Sequence, residues 1–250
     1  GVKVPDIAWG GWVKAGEYPI GGDETAYQSF KQQTVTIPHD FRLSRYPITY
    51  AQFQCFIEAS DVADGRWWRD MPADAQEWRE QEFPYVNHPR ERVSWWQAMA
   101  FCRWLSDKLG QTITLPHEYE WEVAARWPDG LYYPWGNEFD QGKANTREGN
   151  SVDQTTAVGL YPSGKNAALD LYDLSGNVWE WCRNRYGKPE SDLDPQRVDM
   201  GRDSRVVRGG SWFDLQDHAR AAARFSYAPV NRDASDGFRV VVYPPTISSP

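Results

Sequence analysis

The sequence predicts a loop-rich α+β fold with two to three main helices and a few short strands. Three observations carry that reading. Helix-capping patterns and helical periodicity concentrate in the first half of the chain. Short apolar runs closed by glycine turns dominate the second half. The 250 residues include 20 Gly, 17 Pro and 14 Trp, spread along the chain rather than clustered, which suits irregular backbone stapled by aromatic packing.

Trp12–Pro19 and Gln33–Leu43 read as opening strands on either side of a Gly21-Gly22 turn. Thr49, with Gln52 three residues on, is a capping box, so a helix runs over about Tyr50–Ala59 with Tyr50, Phe53, Phe56 and Ile57 on one face. Asp61–Pro84 is charged and Trp-rich and reads as an excursion with short helical pieces. Ser94 and Gln97 repeat the capping pattern for a helix over Trp95–Lys108, which buries Ala98, Phe101, Cys102 and Leu105 and stops at Gly110. A third helix covers His117–Arg126. From Trp127 to Ala168 the pattern is loop. RVVRGGSW (Arg205–Trp212) reads as a buried strand ending in a tight glycine turn, with GFRVV returning beside it as the last strand.

Composition narrows the function. No linker divides the chain, so residues 1–250 read as one domain. A net charge of −8 and a pI near 5.1 leave no basic surface for nucleic acid. No apolar run reaches the length of a membrane span, so no membrane insertion is expected. The chain starts at Gly1 with no signal-peptide pattern, as an excised domain would. Cys55, Cys102 and Cys182 read as small buried hydrophobes. The isolated histidines His39, His88, His117 and His218 show no ligand spacing, and no C-x-x-C pair suggests zinc.

The segment 205–240 is the most informative. Between Trp212 and Gly237 lies a stretch too irregular for a core and rich in aromatic and small polar residues, the composition of a binding face held by strands. Phe213, Asp214, Leu215, Phe225, Ser226, Tyr227, Asp233, Ala234 and Ser235 are its candidate ligand-contacting residues. Arg220, Arg224, Pro229, Asn231 and Arg232 read as framework between them. Trp179, Trp181, Trp212 and Phe238 read as core. Phe225 and Tyr227 show no strand or helix period and are expected to be exposed anchors.

Seven ordered motifs carry a family resemblance: YPITYAQFQCFIEA (Tyr46–Ala59), VSWWQAMAFCRWLS (Val93–Ser106), LPHEYEWEVAAR (Leu115–Arg126), YPWGN (Tyr133–Asn137), LYDLSGNVWEW (Leu171–Trp181), RVVRGGSW and DGFRV (Asp236–Val240). Together they resemble the formylglycine-generating enzyme type of sulfatase-modifying domain, which implies a C-type-lectin-like fold. His117 replaces the usual Ser or Thr ahead of the third helix, a substitution expected to cost a cap.

The resemblance implies three functions. Cysteine oxidation to formylglycine requires two cysteines that hold copper(I), a soft ion suited to thiolates. Here Asp217–Arg224 reads DHARAAAR, with Ala221 where the second thiolate is expected, and no cysteine follows Cys182. No copper is expected. Iron-dependent carbon–sulfur bond formation would need histidines from a missing partner domain. The third is ligand display, as in the variable proteins of diversity-generating retroelements, whose loops are diversified at adenines. Randomised NNY codons cannot encode Trp, Gln, Met, Lys or Glu. Those types make up 51 of the 250 residues, yet Phe213–Asp236 holds only Gln216. The expectation is therefore a non-catalytic bacterial domain that binds a protein ligand through residues 213–235. The alternatives are a metal-dependent oxidoreductase needing a partner domain, or a sensor domain of a larger protein. The resemblance also implies structural calcium, at Asn145 and Asp153 in one loop and at Asn177 and Glu180 in another. The competing reading is that Asn177 sits in a tight turn after Gly176 and Glu180 pairs with an arginine.

Overall fold

The capping boxes form as the sequence predicts. In this computed structural model, which describes residues 2–149 and 151–245, helix α1 spans Tyr50–Ile57. Thr49 accepts from the Gln52 backbone N–H, and Gln52 reaches back to the Thr49 N–H. Short helix α2 is Gly65–Trp68, inside the charged excursion. Helix α3, Trp95–Leu109, carries the same box between Ser94 and Gln97. It ends at Gly110, whose φ of 62° is left-handed. Helix α4 is Glu118–Ala125, and here the expectation of a lost cap fails. His117 Nδ1 accepts from the Tyr119 N–H at 3.1 Å, while Glu120 accepts the His117 N–H at 2.7 Å. Burial holds the imidazole well below its ordinary pKa. The ring is therefore neutral, and Nδ1 is free to act as a serine oxygen would.

Three small sheets assemble around these helices. Strand β1 (Gly16–Ile20) pairs antiparallel with β2 (Gln33–Ile37). Both are shorter than the sequence reading. Gly21 follows β1 at a φ of 70°, and a Cβ there would lie 2.5 Å from the Phe30 carbonyl oxygen, so the turn requires glycine. The second sheet sets β9 (Val241–Val242) between β3 (Arg42–Leu43) and β4 (Ile113–Thr114). The third has the order β7-β6-β5-β8, with β5 at Trp179–Arg185, β6 at Arg205–Arg208, β7 at Arg224–Tyr227 and β8 at Asp236–Gly237. The expectation that GFRVV returns beside RVVR is corrected. Both edges of β6 are taken by β5 and β7, so Asp236–Gly237 runs parallel to β5 instead.

Helix α4 buries three glutamates, and the sheet supplies an arginine to each. Arg224 grips Glu118 at 2.6 and 2.8 Å. Arg183 meets Glu120 at 2.7 Å, beside the Tyr243 hydroxyl. Arg208 and Arg126 share Glu122. Each ion in such a network is costly to bury and tolerable only when partnered. The pairs therefore fix how α4 sits on β5, β6 and β7. One apolar cluster packs Phe53 and Phe56 of α1 against Phe101 and Trp104 of α3, with Trp179, Trp181 and Phe238 beneath. A second packs Trp121 with Ile20, Phe41 and Leu174. Trp179, Trp181 and Phe238 are core, as predicted. Trp212 is only half-buried, which corrects its assignment to the core.

Candidate ligand-binding face

The face begins where β6 ends. Gly209 and Gly210 adopt φ of 95° and 70° and turn the chain out of the sheet. The loop that follows is tied down from below. Ser211 is buried and hydrogen-bonds the Asp214 carboxylate and the Phe213 N–H. The Trp212 N–H donates to the Asn177 carbonyl at 3.0 Å, and its indole N–H donates to the Ala234 carbonyl at 3.2 Å. The Asp214 carbonyl accepts the Arg147 N–H at 2.9 Å, and the Gln216 N–H meets Glu148. On this fixed backbone Phe213 and Leu215 are 56% and 52% exposed. The Arg147 guanidinium lies 5.1 Å from the Phe213 ring, and Trp212 packs edge-on against Phe83 and Phe213.

Phe225, Ser226 and Tyr227 do not belong to a loop. They form β7, with Phe225 opposite Val207 and Ser226 opposite Val206. Phe225 tilts over Trp179 and Tyr27, and Tyr227 sets its edge on Trp181. All three residues are half-buried. The reading of Phe225 and Tyr227 as exposed anchors without strand period is therefore corrected. Their i, i+2 spacing was the available signal, and the partner strand lies far away in sequence.

The third candidate set closes the face. Asp233 accepts the Arg92 N–H through its carbonyl at 3.0 Å. The indole bond from Trp212 to Ala234 joins residues 233–235 to the first loop. Beneath them Asp236 is fully buried. It accepts from Asn231 at 2.6 Å, and burial together with the nearby Asp233 pushes its pKa up to about 7. Burial, then the charges of Asp236, Asp214 and Asp233, drives the Tyr227 phenol upward. The structure thus places Phe225, Ser226 and Tyr227 on edge strand β7, joins residues 233–235 to the loop of residues 211–216 through the Trp212 indole, and leaves Phe213 and Leu215 exposed. The expected framework residues are anchored. Arg220 pairs with Asp23 at 2.6 Å, Arg224 holds Glu118, and Arg232 donates to the Asp74 carbonyl. Phe83, Arg147, Tyr27 and His218, which stacks on Tyr27 at 4.5 Å, were missed. Tyr27, Phe83 and Arg147 come from remote segments that only the assembled fold brings here, while His218 lies within the segment itself and is placed by its stacking on Tyr27.

The two expected calcium loops fare differently. Asn145 and Asn177 meet, because Asn177 Oδ1 accepts from the Asn145 amide at 3.3 Å and the Thr156 N–H at 2.9 Å. Asn145 Oδ1 and Thr146 Oγ1 are buried and lack any partner, and unmet oxygens of this kind suit a hard cation. Asp153 is exposed, its carboxylate bonded to Ser151. Glu180 does not fit. Arg239 takes both its oxygens at 2.6 and 2.7 Å, and the Trp121 indole shares one at 2.6 Å. Its role as a calcium ligand is corrected to that of an arginine partner. Asn177 adopts a φ of 68° directly after Gly176, the tight turn of the competing reading. Among the described residues no group of three or more His, Cys, Asp or Glu is placed to hold a metal. No helix there is long and apolar enough to cross a membrane.

Residues 9–244 match the sulfatase-modifying factor enzyme 1-like domain family. The chain belongs to this family. Among its relatives, serine/threonine-protein kinase Pkn1 of Chlamydia trachomatis is 31% identical over 91% of this chain. The match spans 37% of that protein, so this chain corresponds to little more than a third of it. Formylglycine-generating enzyme of Thermomonospora curvata is 28% identical over 82% of each chain. The solved structure of Treponema denticola variable protein 1 superposes with a TM-score of 0.72 at 22% identity, covering 97% of this chain and 98% of that one. The fold is C-type-lectin-like, of the formylglycine-generating enzyme type, as the sequence predicts.

Proposed function

We propose that this domain displays a binding face to a protein ligand and carries out no catalysis of its own. The observation that carries the reading is the pinned loop of Ser211–Gln216, which holds Phe213 and Leu215 out to solvent on a backbone bonded at every turn. Rigid apolar side chains on a fixed frame lose little entropy on binding, and such residues supply the anchors of interfaces. Asp214, Asp233, Ala234 and Ser235 supply the polar rim. Ser226, Phe225 and Tyr227 form the edge strand behind it. The resemblance to retroelement variable proteins supports the same assignment, with residues 213–235 as the diversified set. The absent cysteine pair removes the copper site on which formylglycine formation rests.

The test is a pull-down with the wild-type domain as bait, repeated with Phe213→Ala/Leu215→Ala. The variant should melt with the wild type and lose the recovered partner. A partner retained equally by the variant would place binding elsewhere. A reverse transcriptase gene nearby, with a near-copy of the 3′ segment differing at adenines, would establish diversification.

A further inference from the structure

A pocket of about 420 Å³ opens between one face of α3, strand β4 and the loop of residues 195–200, a size that suits a small molecule. None of its lining residues belongs to the display face. Met99, Ile113, Val198 and Met200 form its apolar lining. The loop is tied from behind, because the Trp96 indole donates to the Met200 carbonyl at 3.1 Å and the buried Arg205 donates to the Asp199 and Gly201 carbonyls. Ser106 joins α3 to β4, donating to the Ile113 carbonyl at 2.8 Å and accepting the Ile113 N–H at 2.9 Å. The Thr114 hydroxyl is turned to the Met99 sulfur at 3.7 Å. These bonds fix the walls before any ligand arrives.

Arg69, Arg103, Arg197 and Asp70 carry the charge of the lining. Two of these arginines have exposed partners at long range. Arg69 lies 3.7 Å from Asp70, and Arg197 lies 3.7 Å from Asp194. Exposed pairs of that kind hold weakly. Arg103 differs. It is half-buried on α3, and its Nη1 bonds the Trp67 and Arg69 carbonyls at 3.1 and 2.8 Å. Among the described residues no carboxylate pairs with it. Burial, then the Arg69 charge, holds its pKa below the ordinary guanidinium value, and Asp70 offsets this only in part. The carbonyls satisfy its hydrogen bonds but do not neutralise its charge. Arg183, Arg208 and Arg224, buried against α4, each have a glutamate. A desolvated cation beside a second cation is costly until an anion joins them. This excess of positive charge stands in a chain of net charge −8, so it is local to the pocket.

We propose that this pocket binds a small organic oxyanion, a carboxylate or a phosphate ester on an apolar body, with Arg103 and Arg69 facing the anionic group and Met99 and Met200 against the apolar part. The probes are benzoate and phenyl phosphate, with benzamide as a neutral ring of similar size, each titrated into the whole chain by isothermal calorimetry. At least one anion should bind saturably and benzamide should not, and the tighter anion tells a carboxylate source from a phosphate one. Arg103→Met should weaken binding about tenfold, as expected for one lost hydrogen bond to a charged group, and Arg103→Lys should recover part of the loss. Asp70→Asn should tighten binding, because it removes the carboxylate that competes within the lining. Asparagine tolerates the left-handed backbone there, at a φ of 65°, so this variant tests charge without disturbing the fold. Melting curves check that the variants fold, and if Arg103→Met does not, Arg69→Met and Asp70→Asn decide. Benzamide binding as tightly as benzoate, inorganic phosphate binding as tightly as phenyl phosphate, affinities unmoved by the folded charge variants, or no saturable binding of either anion at millimolar concentration would each overturn the assignment.

Discussion

His117 shows how a single residue can defeat a propensity rule. Histidine is a poor N-cap when it is solvated and titrating. Buried and neutral, it accepts a backbone N–H through Nδ1 and still lies 3.1 Å from the Ser191 carbonyl at Nε2. His117→Ala should therefore lower stability by about 1 kcal/mol, the usual worth of a cap, measured by urea denaturation. His117→Ser should recover most of it. Asp236 makes a second residue-scale prediction. Its folded pKa of about 7 lies above the ordinary carboxylate value, so the folded state holds a proton that the unfolded chain releases. The stability this contributes is full below about pH 4 and is lost as pH rises through about 7. Asp236→Asn should flatten that loss when melting is followed from pH 4 to 8. A wild-type–variant difference that does not change with pH would show that Asp236 is ionised throughout.

At the scale of elements, the helices were legible because their signals are local. Thr49 with Gln52, Ser94 with Gln97, and the stop at Gly110 all act within a few residues. The strands were not, because their partners are remote. Arg224–Tyr227 is defined by Arg205–Arg208, and the start of GFRVV goes to the free edge of β5 because both edges of β6 are taken. Helix α4 was found by position but not by environment. Nothing in EYEWE announces that Glu118, Glu120 and Glu122 face inward, because the arginines that neutralise them come from three different strands and from the helix's own end. Those pairs make a strong prediction. Removing one partner strands a buried charge, at a cost of about 3–5 kcal/mol. Arg183→Met should therefore destabilise the domain far more than Arg66→Met, whose ion pair with Asp64 is exposed. Equal denaturation midpoints for the two variants would contradict the network.

At the scale of the whole molecule, the two metal expectations separate. Asn145 and Thr146 hold unmet buried oxygens, while Glu180 is committed to Arg239. We expect chelator to lower the melting temperature and calcium to restore it, since a ligand bound only to the native state stabilises it. Asn145→Ala should abolish that response, and an unchanged melt with chelator and millimolar calcium would exclude the site. Copper(I) titrated against a competing chelator should find no tight stoichiometric site, because burial holds Cys102 and Cys182 as thiols and no cysteine lies in the loop of residues 211–223.

The fold also divides stability from binding along its sheet, and not where the sequence places the boundary. Trp179 and Trp181 lie on the inner side of β5. Phe225 and Tyr227 pack onto them from β7, and Phe213 and Leu215 stand clear. Trp179→Ala should cost about 3–5 kcal/mol and reduce folded yield, as truncation of a buried aromatic does. Phe225→Ala/Tyr227→Ala should lower the melting temperature measurably, because both rings cover core tryptophans. Phe213→Ala/Leu215→Ala should leave melting almost unchanged and cost about 2 kcal/mol or more in affinity if these are the anchors of the interface. Trp212 falls between the groups, since its indole ties the two loops together through the Ala234 carbonyl. Trp212→Phe should keep the fold while loosening residues 233–235, visible as faster hydrogen exchange there and weaker partner binding. If Phe213→Ala/Leu215→Ala unfolds the domain while Phe225→Ala/Tyr227→Ala spares it, the outer loop is core and the display face lies elsewhere.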